Sequence, residues 1–245
     1  MAFDRDQPFS PPLDAEDRLF ALSRDASPQA VLRAAIETFG KRIALVSSFG
    51  TESAVLLHMV AEIDPSTPVI FLDTGHLFGQ TLDYRQELVR RLGLTDVRDQ
   101  RAEFQDIALQ DPGANLWKTD TDACCAVRKV QPLDKALQGF DAWITGRKRI
   151  HGADRARLPM VERTEGKVKV NPLANWSKPE LDAYMAEHDL PQHPLREAGY
   201  ASVGCWPCTK PSEDLRAGRW AGSEKTECGI HRPRAALADD VGGGI

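Results

Sequence analysis

Short apolar segments alternate with amphipathic segments along most of the chain, and this alternation restricts the fold more than any other feature. Apolar runs of strand length lie at 43–47, 68–72, 95–97 and 142–145. The spacing of apolar residues predicts helices at 15–23, 29–39, 52–63, 78–92, 102–109 and 122–137. Strands separated by helices are typical of a mainly parallel sheet with helices on both faces. We therefore predict an α/β fold.

The chain changes character after its fourth predicted strand. Residues 158–170 have the pattern of a hairpin that turns at Glu165-Gly166, and 178–188 that of a helix capped by Ser177. Beyond Pro211 the density of apolar residues falls and the density of charge rises. We predict one α/β domain at 1–210 and a mobile C-terminal tail at 211–245.

Charge and hydropathy exclude several classes of partner. The formal net charge is −5, so a general attraction to nucleic acid or to an anionic membrane is not expected. The first residues lack a basic segment followed by an apolar run, and the longest apolar stretch, 54–61, is too short to span a membrane. We expect a cytoplasmic protein, in which cysteines serve as metal ligands or catalytic thiols more often than as disulfides.

Polar segments follow three predicted strands, at 47–53, 73–76 and 146–157. Ligands of open α/β sheets bind beyond the carboxyl ends of the strands, so we expect these segments to meet at one site. In the first, small hydroxyl residues and a glycine permit a turn whose N–H groups bind an anion, although an ordinary turn with a capped helix explains them equally well. Its candidate contacts are Ser47, Ser48, Phe49 and Gly50.

The other two segments are less specific by themselves. Asp73, Thr74 and Gly75 could line a nucleotide site, but a plain turn explains them better on sequence alone. The last segment concentrates positive charge, which indicates either a phosphate or sulfate contact or a solvated face. Its basic residues are Arg147, Lys148, Arg149, Arg155 and Arg157.

Four cysteines form two close pairs. Cys124 and Cys125 are adjacent in a predicted helix, whereas Cys205 and Cys208 form a Cys-x-x-Cys motif. Four thiolates from two segments suit zinc or an iron–sulfur cluster. There are alternatives: the Cys-x-x-Cys motif could be a redox pair or half of a zinc ribbon, and Cys124 and Cys125 could be buried as small apolar residues. Adjacent cysteines argue against the zinc ribbon, whose paired ligands are separated by two or more residues.

The fifth cysteine, Cys228, lies in the charged tail with Lys225 and His231 beside it and Arg216 and Arg219 upstream. Positive neighbours lower the pKa of a thiol and increase its thiolate fraction, which a nucleophile requires. We predict that Cys228 is a nucleophile, the alternative being an incidental exposed cysteine.

Taken together and in this order, the motifs resemble the assimilatory sulfonucleotide reductases, which reduce adenylyl sulfate or phosphoadenylyl sulfate. The resemblance extends from about Leu45 to His231. It rests on the Ser-Ser-Phe-Gly-Thr-Glu turn, Leu-Asp-Thr-Gly, Thr-Gly with its basic loop, the two cysteine pairs and Lys-x-Glu-Cys-Gly-Ile-His. It implies a fold like that of the adenine nucleotide alpha hydrolases.

The resemblance also implies roles for individual residues. Family members with both cysteine pairs hold one 4Fe–4S cluster and use adenylyl sulfate, which assigns the cluster to Cys124, Cys125, Cys205 and Cys208. Cys228 matches the thiol that attacks sulfur, and Lys129 a lysine between cluster and substrate. The remaining expected substrate contacts are Arg147, Arg149, Arg216, Arg219 and His231. The basic loop departs from the family pattern, since Ile150 and His151 stand where a polar continuation is expected.

The predicted reaction releases AMP and leaves an S-sulfonated Cys228. With four thiols on the cluster, no second protein thiol remains, so thioredoxin or a similar dithiol protein must release sulfite. The same reaction on phosphoadenylyl sulfate is the nearest alternative. An ATP-dependent tRNA sulfurtransferase is less favoured, because its Ser-Gly-Gly-x-Asp-Ser turn is not matched. A zinc-stabilised module without catalysis is the other alternative. We also expect a homo-oligomer.

Overall fold

The computed structural model describes residues 14–152, 155–214, 216–221, 223 and 225–231. Within them, the strands of one sheet are β1 (Ile43–Ser47), β2 (Val69–Leu72), β3 (Val97–Gln100), β4 (Ala142–Thr145), β5 (Val161–Thr164) and β6 (Lys167–Val170). Their order across the sheet is β3–β2–β1–β4–β6–β5. Neighbouring strands are parallel except in the β5–β6 hairpin. The predicted α/β fold with a mainly parallel sheet is confirmed.

Helices cover both faces of this sheet. They are α1 (Ala15–Leu22), α2 (Pro28–Phe39), α3 (Ser53–Ala61), α4 (Gly79–Arg91), α5 (Phe104–Gln110), α6 (Leu116–Thr119), α7 (Thr121–Cys125), α8 (Gln131–Ala136) and α9 (Lys178–Glu187). Side chains alternate along β1: Ile43 and Leu45 enter the larger core with the apolar residues of α2, α3 and α9, whereas Ala44 packs with Leu133 of α8. Ser177 and Glu180 form the capping box that starts α9.

The strand predicted at 95–97 is displaced to Val97–Gln100. This strand lies at the edge of the sheet and pairs with β2, and its central residues Arg98 and Asp99 are exposed. An edge strand of this kind carries no apolar alternation, so the prediction stopped where the apolar residues stopped.

The helix predicted at 122–137 is divided by a π-helical turn at Ala126–Val130. There the N–H of Gln131 bonds to the carbonyl of Ala126, five residues earlier. Pro132 follows directly. It has no N–H, and its ring crowds the carbonyl four residues before it, so the regular α-helical ladder cannot continue. The widened turn carries Arg128 and Lys129 beside the buried Cys124 and Cys125.

The described part of the tail lies against the domain. A bridge joins Tyr200 to Ser212, another joins Thr209 to Arg219, and Trp220 is buried. The boundary at 210 and the mobility of the tail stay predictions, and residues 232–245 lie outside the described part of the chain. Among the described helices, none has the length and apolar character needed to cross a membrane.

Candidate active site

Most of the predicted site residues line one cavity of about 220 Å³ beyond the carboxyl ends of β1, β2 and β4, which we call the central cavity. Its wall includes Ser47, Ser48, Gly50, Glu52, Thr74, Lys129, Arg147, Lys148, His151, Arg155, Arg216, Arg219, Trp220, Glu227, Cys228 and His231. The three predicted segments therefore meet as expected from the topology of the sheet, and the tail closes the cavity from another side.

The turn after β1 lines the central cavity except at Phe49. Phe49 has a φ of 48°, and this conformation, rare outside glycine, turns its ring into the core, where it meets Phe71 edge-on with 5.3 Å between ring centroids. Ser47 Oγ accepts the N–H of Phe49 at 3.2 Å. Thr51 Oγ1 donates to the carbonyl of Ala201 at 2.9 Å, which ties the turn to the segment before Cys205.

The basic loop after β4 sends its side chains in different directions. Lys148 and Arg155 are buried at the cavity wall, and Arg147 pairs with Glu162 at 3.2 Å. Arg149 instead donates from Nε to the carbonyl of Leu158 at 2.8 Å and does not line the cavity.

Glu52 balances part of this positive charge. Its Oε2 lies 3.0 Å from Lys148 Nζ and 3.5 Å from His151 Nε2. Burial acts to raise the pKa of Glu52, but the hydrogen bond from His151 and the charge of Lys148 outweigh it and lower the pKa to about 2. Burial lowers the pKa of Lys148 more than Glu52 raises it. The sequence pattern gave Glu52 no individual role, because its partners Lys148 and His151 lie almost 100 residues away along the chain.

A smaller cavity, which we call the cysteine cavity, adjoins the central one. It is lined by Thr74, His76, Trp117, Cys124, Cys125, Arg128, Lys129, Cys205, Pro207 and Cys208. Thr74, Lys129 and Cys205 line both cavities. All five cysteines of the chain are free thiols. Within the described ranges, no group of three or more His, Cys, Asp or Glu side chains meets the spacing for a single metal ion.

The thiols of the cysteine cavity lie in unequal electrostatic surroundings. Burial, and then the neighbouring Cys125, raise the pKa of Cys124 to about 11. Burial also acts to raise the pKa of Cys205, but Lys129 and the Thr74 hydroxyl, whose Oγ1 lies 3.3 Å from Cys205 Sγ, together lower it. For Lys129, burial acts to lower the pKa, and Cys205, Cys228 and Cys125 raise it further than burial lowers it. Lys129 is therefore a permanent cation between the two cavities.

Arg216 and Arg219 meet the central cavity from the tail. Their guanidinium carbons lie 5.7 Å and 4.6 Å from the ring centroid of Trp220, so this one aromatic ring supports both. Arg219 Nη1 also donates to the carbonyl of Val203 at 3.2 Å. A Cβ atom at Gly204 would lie 2.2 Å from Arg219 Nη2, so only glycine leaves room for this guanidinium. Trp220 was not among the predicted site residues, although its position next to Arg219 in the sequence was a usable signal.

His231 closes the far side of the cavity. Its ring stacks on that of Trp143, with centroids 5.5 Å apart and planes inclined by 13°. Burial, and then the charges of Lys169 and Arg147, hold the pKa of His231 well below its ordinary value, so the ring is neutral. Its Nδ1 is buried and has no hydrogen-bond partner within the described part of the chain, which leaves it free to bond to a ligand in the cavity.

Four residues that were predicted to contact the substrate do not line the central cavity: Phe49, Asp73, Gly75 and Arg149. Asp73 accepts hydrogen bonds from Arg101 and from the N–H of Gly75. Arg155, one of the basic residues for which a phosphate or sulfate contact was left open, lines the cavity. It pairs there with Glu227, for which no role was predicted.

Comparisons with known proteins identify a family and several relatives. A family model described as phosphoadenosine phosphosulfate reductase domain matches residues 42–211. A Mesorhizobium japonicum protein named adenosine 5'-phosphosulfate reductase is 51% identical over 206 residues, which cover 83% of this chain and 81% of the relative. A Chelativorans protein of the same name is 47% identical over 232 residues, which cover 91% and 94%.

A solved structure extends the likeness to the fold. The phosphoadenylyl-sulfate (PAPS) reductase of Candida auris, determined as a phosphate complex, superposes with a TM-score of 0.65 at 30% identity. The superposition covers 81% of this chain and 98% of that one.

Proposed function

The chain belongs to the phosphoadenosine phosphosulfate reductase family, and from this premise we propose that it reduces adenylyl sulfate to sulfite and AMP in assimilatory sulfate reduction. Both bacterial relatives described above are named as reductases of that nucleotide. The observation that carries the proposal is the presence of Cys228 and several cationic side chains on the wall of one cavity at the carboxyl ends of the strands.

The first step is attack by the Cys228 thiolate on the sulfur of the phosphosulfate group. An S–S bond forms, the S–O bond to the nucleotide breaks, and AMP leaves with the electron pair of that bond. The substrate is polyanionic, so its oxygens must be neutralised before a thiolate can approach. We assign this task to Lys129, Arg147, Arg155, Arg216 and Arg219, and we assign a hydrogen bond to the substrate to Nδ1 of the neutral His231.

The second step needs a reductant from outside the chain. A thiolate of thioredoxin, or of a similar dithiol protein, attacks Sγ of the S-sulfonated Cys228; the bond between Sγ and the sulfonate sulfur breaks, and sulfite leaves with its electron pair. The partner's second thiol then attacks the partner sulfur of the mixed disulfide and releases Cys228. The partner ends as a disulfide, and Cys228 regains its thiolate. The two electrons that reduce the sulfur therefore come from the dithiol.

We also propose that Cys124, Cys125, Cys205 and Cys208 hold one 4Fe–4S cluster. The donor set fits this group, because four thiols line one cavity and iron–sulfur clusters are bound by thiolates. When bound, the cluster supplies a covalent link between two distant segments and a charge beside Lys129. Anaerobically purified protein should be brown, with a broad band at about 400 nm and about four irons per chain. A colourless zinc protein would disprove this assignment.

Nucleotide specificity is tested by steady-state kinetics. With thioredoxin as the reductant, sulfite formation from adenylyl sulfate should have a much higher kcat/KM than formation from phosphoadenylyl sulfate. The Candida auris relative is named for the second nucleotide, so a preference for phosphoadenylyl sulfate is the outcome that would transfer this chain to the alternative specificity. Failure to form sulfite from either nucleotide would refute the proposed reaction.

Location and assembly complete the proposal. We place the enzyme in the cytoplasm, where thioredoxin is kept reduced, without nucleic acid or membrane as a partner. Assembly as a homo-oligomer stays a prediction. Cell fractionation and analytical ultracentrifugation test these two points separately.

A further inference from the structure

Side chains that come just before Cys228 attach its segment to the rest of the protein. Lys225 Nζ donates to the carbonyl of Thr121 and to Asp122 Oδ1, each at 2.7 Å, and so binds the amino end of α7. Glu227 Oε1 accepts from Arg155 Nε at 2.5 Å. Cys228 follows Glu227 directly, so its position depends on these attachments.

The attachment through Glu227 is well shielded from solvent. The side chains of Arg155 and Glu227 are only 8% and 12% exposed. Exposed ion pairs are weak because water screens them, and this pair largely escapes that screening. Burial acts to raise the pKa of Glu227, but the hydrogen bond and charge of Arg155 outweigh it, so the carboxyl is ionised. Removing one partner of a buried pair leaves an uncompensated charge, which is costly.

Glu227 also reaches a second arginine, at a longer distance. Its Oε2 lies 3.7 Å from Arg216 Nη2, and that same nitrogen donates to the carbonyl of Thr226 at 3.1 Å. The contact with Arg155 is thus a direct hydrogen bond, and the contact with Arg216 is a looser charge interaction. Arg216 can turn toward an anion in the cavity while Arg155 continues to hold Glu227.

We infer that Glu227 is a positioning residue, which fixes Cys228 in the central cavity through Arg155 and shares Arg216 with the incoming anionic substrate. The inference rests on the proposed function of Cys228. It predicts two separate effects of losing the carboxylate. The Cys228 segment is released, which lowers kcat, and Arg216 no longer has a competing anion, which keeps KM from rising.

The variants that test this are Glu227→Gln, which removes the charge, and Glu227→Asp, which keeps the charge but shortens its reach. Glu213→Gln is the matched control, since it makes the same charge change at an exposed position of the same tail. Each protein is pulse-labelled with iodoacetamide without substrate, and the alkylation of Cys228 is followed by peptide mass spectrometry. Iron content is measured in parallel.

Glu227→Gln should raise the alkylation rate about tenfold and lower kcat by one to two orders of magnitude, at unchanged iron content and with KM no higher than in the parent. The alkylation rate and kcat of Glu227→Asp should lie between those of Glu227→Gln and the parent, and those of Glu213→Gln should match the parent. An alkylation rate for Glu227→Asp equal to that of the parent would mean that Glu227 acts only through its charge, and would overturn the positioning role.

Two further outcomes are kept apart by the design. If Glu227→Gln alkylates and turns over like the parent while Cys228→Ser is inactive, the positioning role is refuted and the proposed function stands. If Cys228→Ser still makes sulfite, the proposed function fails, whatever the labelling shows. Should Glu227→Gln fold poorly, Arg155→Met removes the donor of the same hydrogen bond. A faster alkylation of Cys228 in that variant supports the positioning role, and a parental alkylation rate refutes it.

Discussion

The ammonium nitrogen of Lys148 lies 3.0 Å from Oε2 of Glu52, and both side chains are almost fully buried in the wall of the central cavity. Glu52 comes from the turn after β1 and Lys148 from the loop after β4. The pair therefore joins the ends of two neighbouring parallel strands. Glu52 Oε1 is buried and has no hydrogen-bond partner in the described residues, so one carboxylate oxygen remains available to a ligand hydroxyl.

Glu52→Gln should destabilise the folded protein by about 2 kcal/mol near neutral pH, because it leaves Lys148 buried without a counter-charge. Folding lowers the pKa of Glu52 from 4.5 to about 2, so its contribution is complete above the unfolded value and is lost as the pH falls toward 2. The difference between parent and variant should shrink by about 1 kcal/mol by about pH 4. Urea unfolding followed by tryptophan fluorescence measures it; a difference independent of pH would contradict the assignment.

Cys228→Ser should abolish sulfite formation and leave iron content and nucleotide binding near the parent values. The reason is that Cys228 lines the central cavity and not the cysteine cavity, whereas the other four thiols line the cysteine cavity, with Cys205 at its border with the central one. Single-turnover assays and equilibrium binding of AMP give the two readouts. Substantial residual turnover would show that the nucleophile is another group.

Cys205→Ser should lose iron, form less sulfite and give a lower yield of folded protein. Cys205 is buried and contacts the Thr74 hydroxyl, and the binding energy of a structural metal site is also folding energy. Iron analysis and thermal unfolding, with Cys228→Ser as the matched cysteine control, measure the effect. Full iron content with parental stability would remove Cys205 from the ligand set.

The sequence predicted the site where chain topology alone determines position. Ser47 ends β1, and Ser48 and Thr74 follow β1 and β2. Parallel strands bring their carboxyl ends to one edge, so these residues meet however the loops are built. The cysteine pairs were predictable for a different reason, since thiols are rare and their spacing limits what they can bind.

The direction in which a side chain points from a loop could not be predicted from the sequence. Arg147 and Arg149 are identical in type and two residues apart, yet one lines the central cavity and the other bonds to the carbonyl of Leu158. Phe49 turns into the core because its φ is positive, which no side-chain pattern indicates. Ion pairs between distant parts of the sequence could not be predicted either. Arg155 and Glu227 are separated by 72 residues, and the residues next to each of them in the sequence do not indicate the other.

Gly204→Ala should reproduce the loss of Arg219, because a Cβ atom at this position would lie 2.2 Å from Arg219 Nη2 and 2.7 Å from Nη1. The guanidinium is the end of a flexible side chain, so it should move aside while the backbone keeps its place. We expect Arg219→Ala to cost on the order of 2 kcal/mol in kcat/KM, roughly thirtyfold, as for a charge-assisted hydrogen bond to the substrate. Gly204→Ala should cost a similar amount, at unchanged iron content.

The double variant Gly204→Ala/Arg219→Ala decides whether both changes act through the same guanidinium. Two changes that remove one interaction are not additive, so the double variant should be no slower than Arg219→Ala alone. Gly79→Ala is the control, since a Cβ atom there meets open space and the first turn of α4 accepts alanine. If the losses in kcat/KM multiply to about a thousandfold, Gly204 acts independently of Arg219, and crowding of the guanidinium is not the reason that glycine is needed.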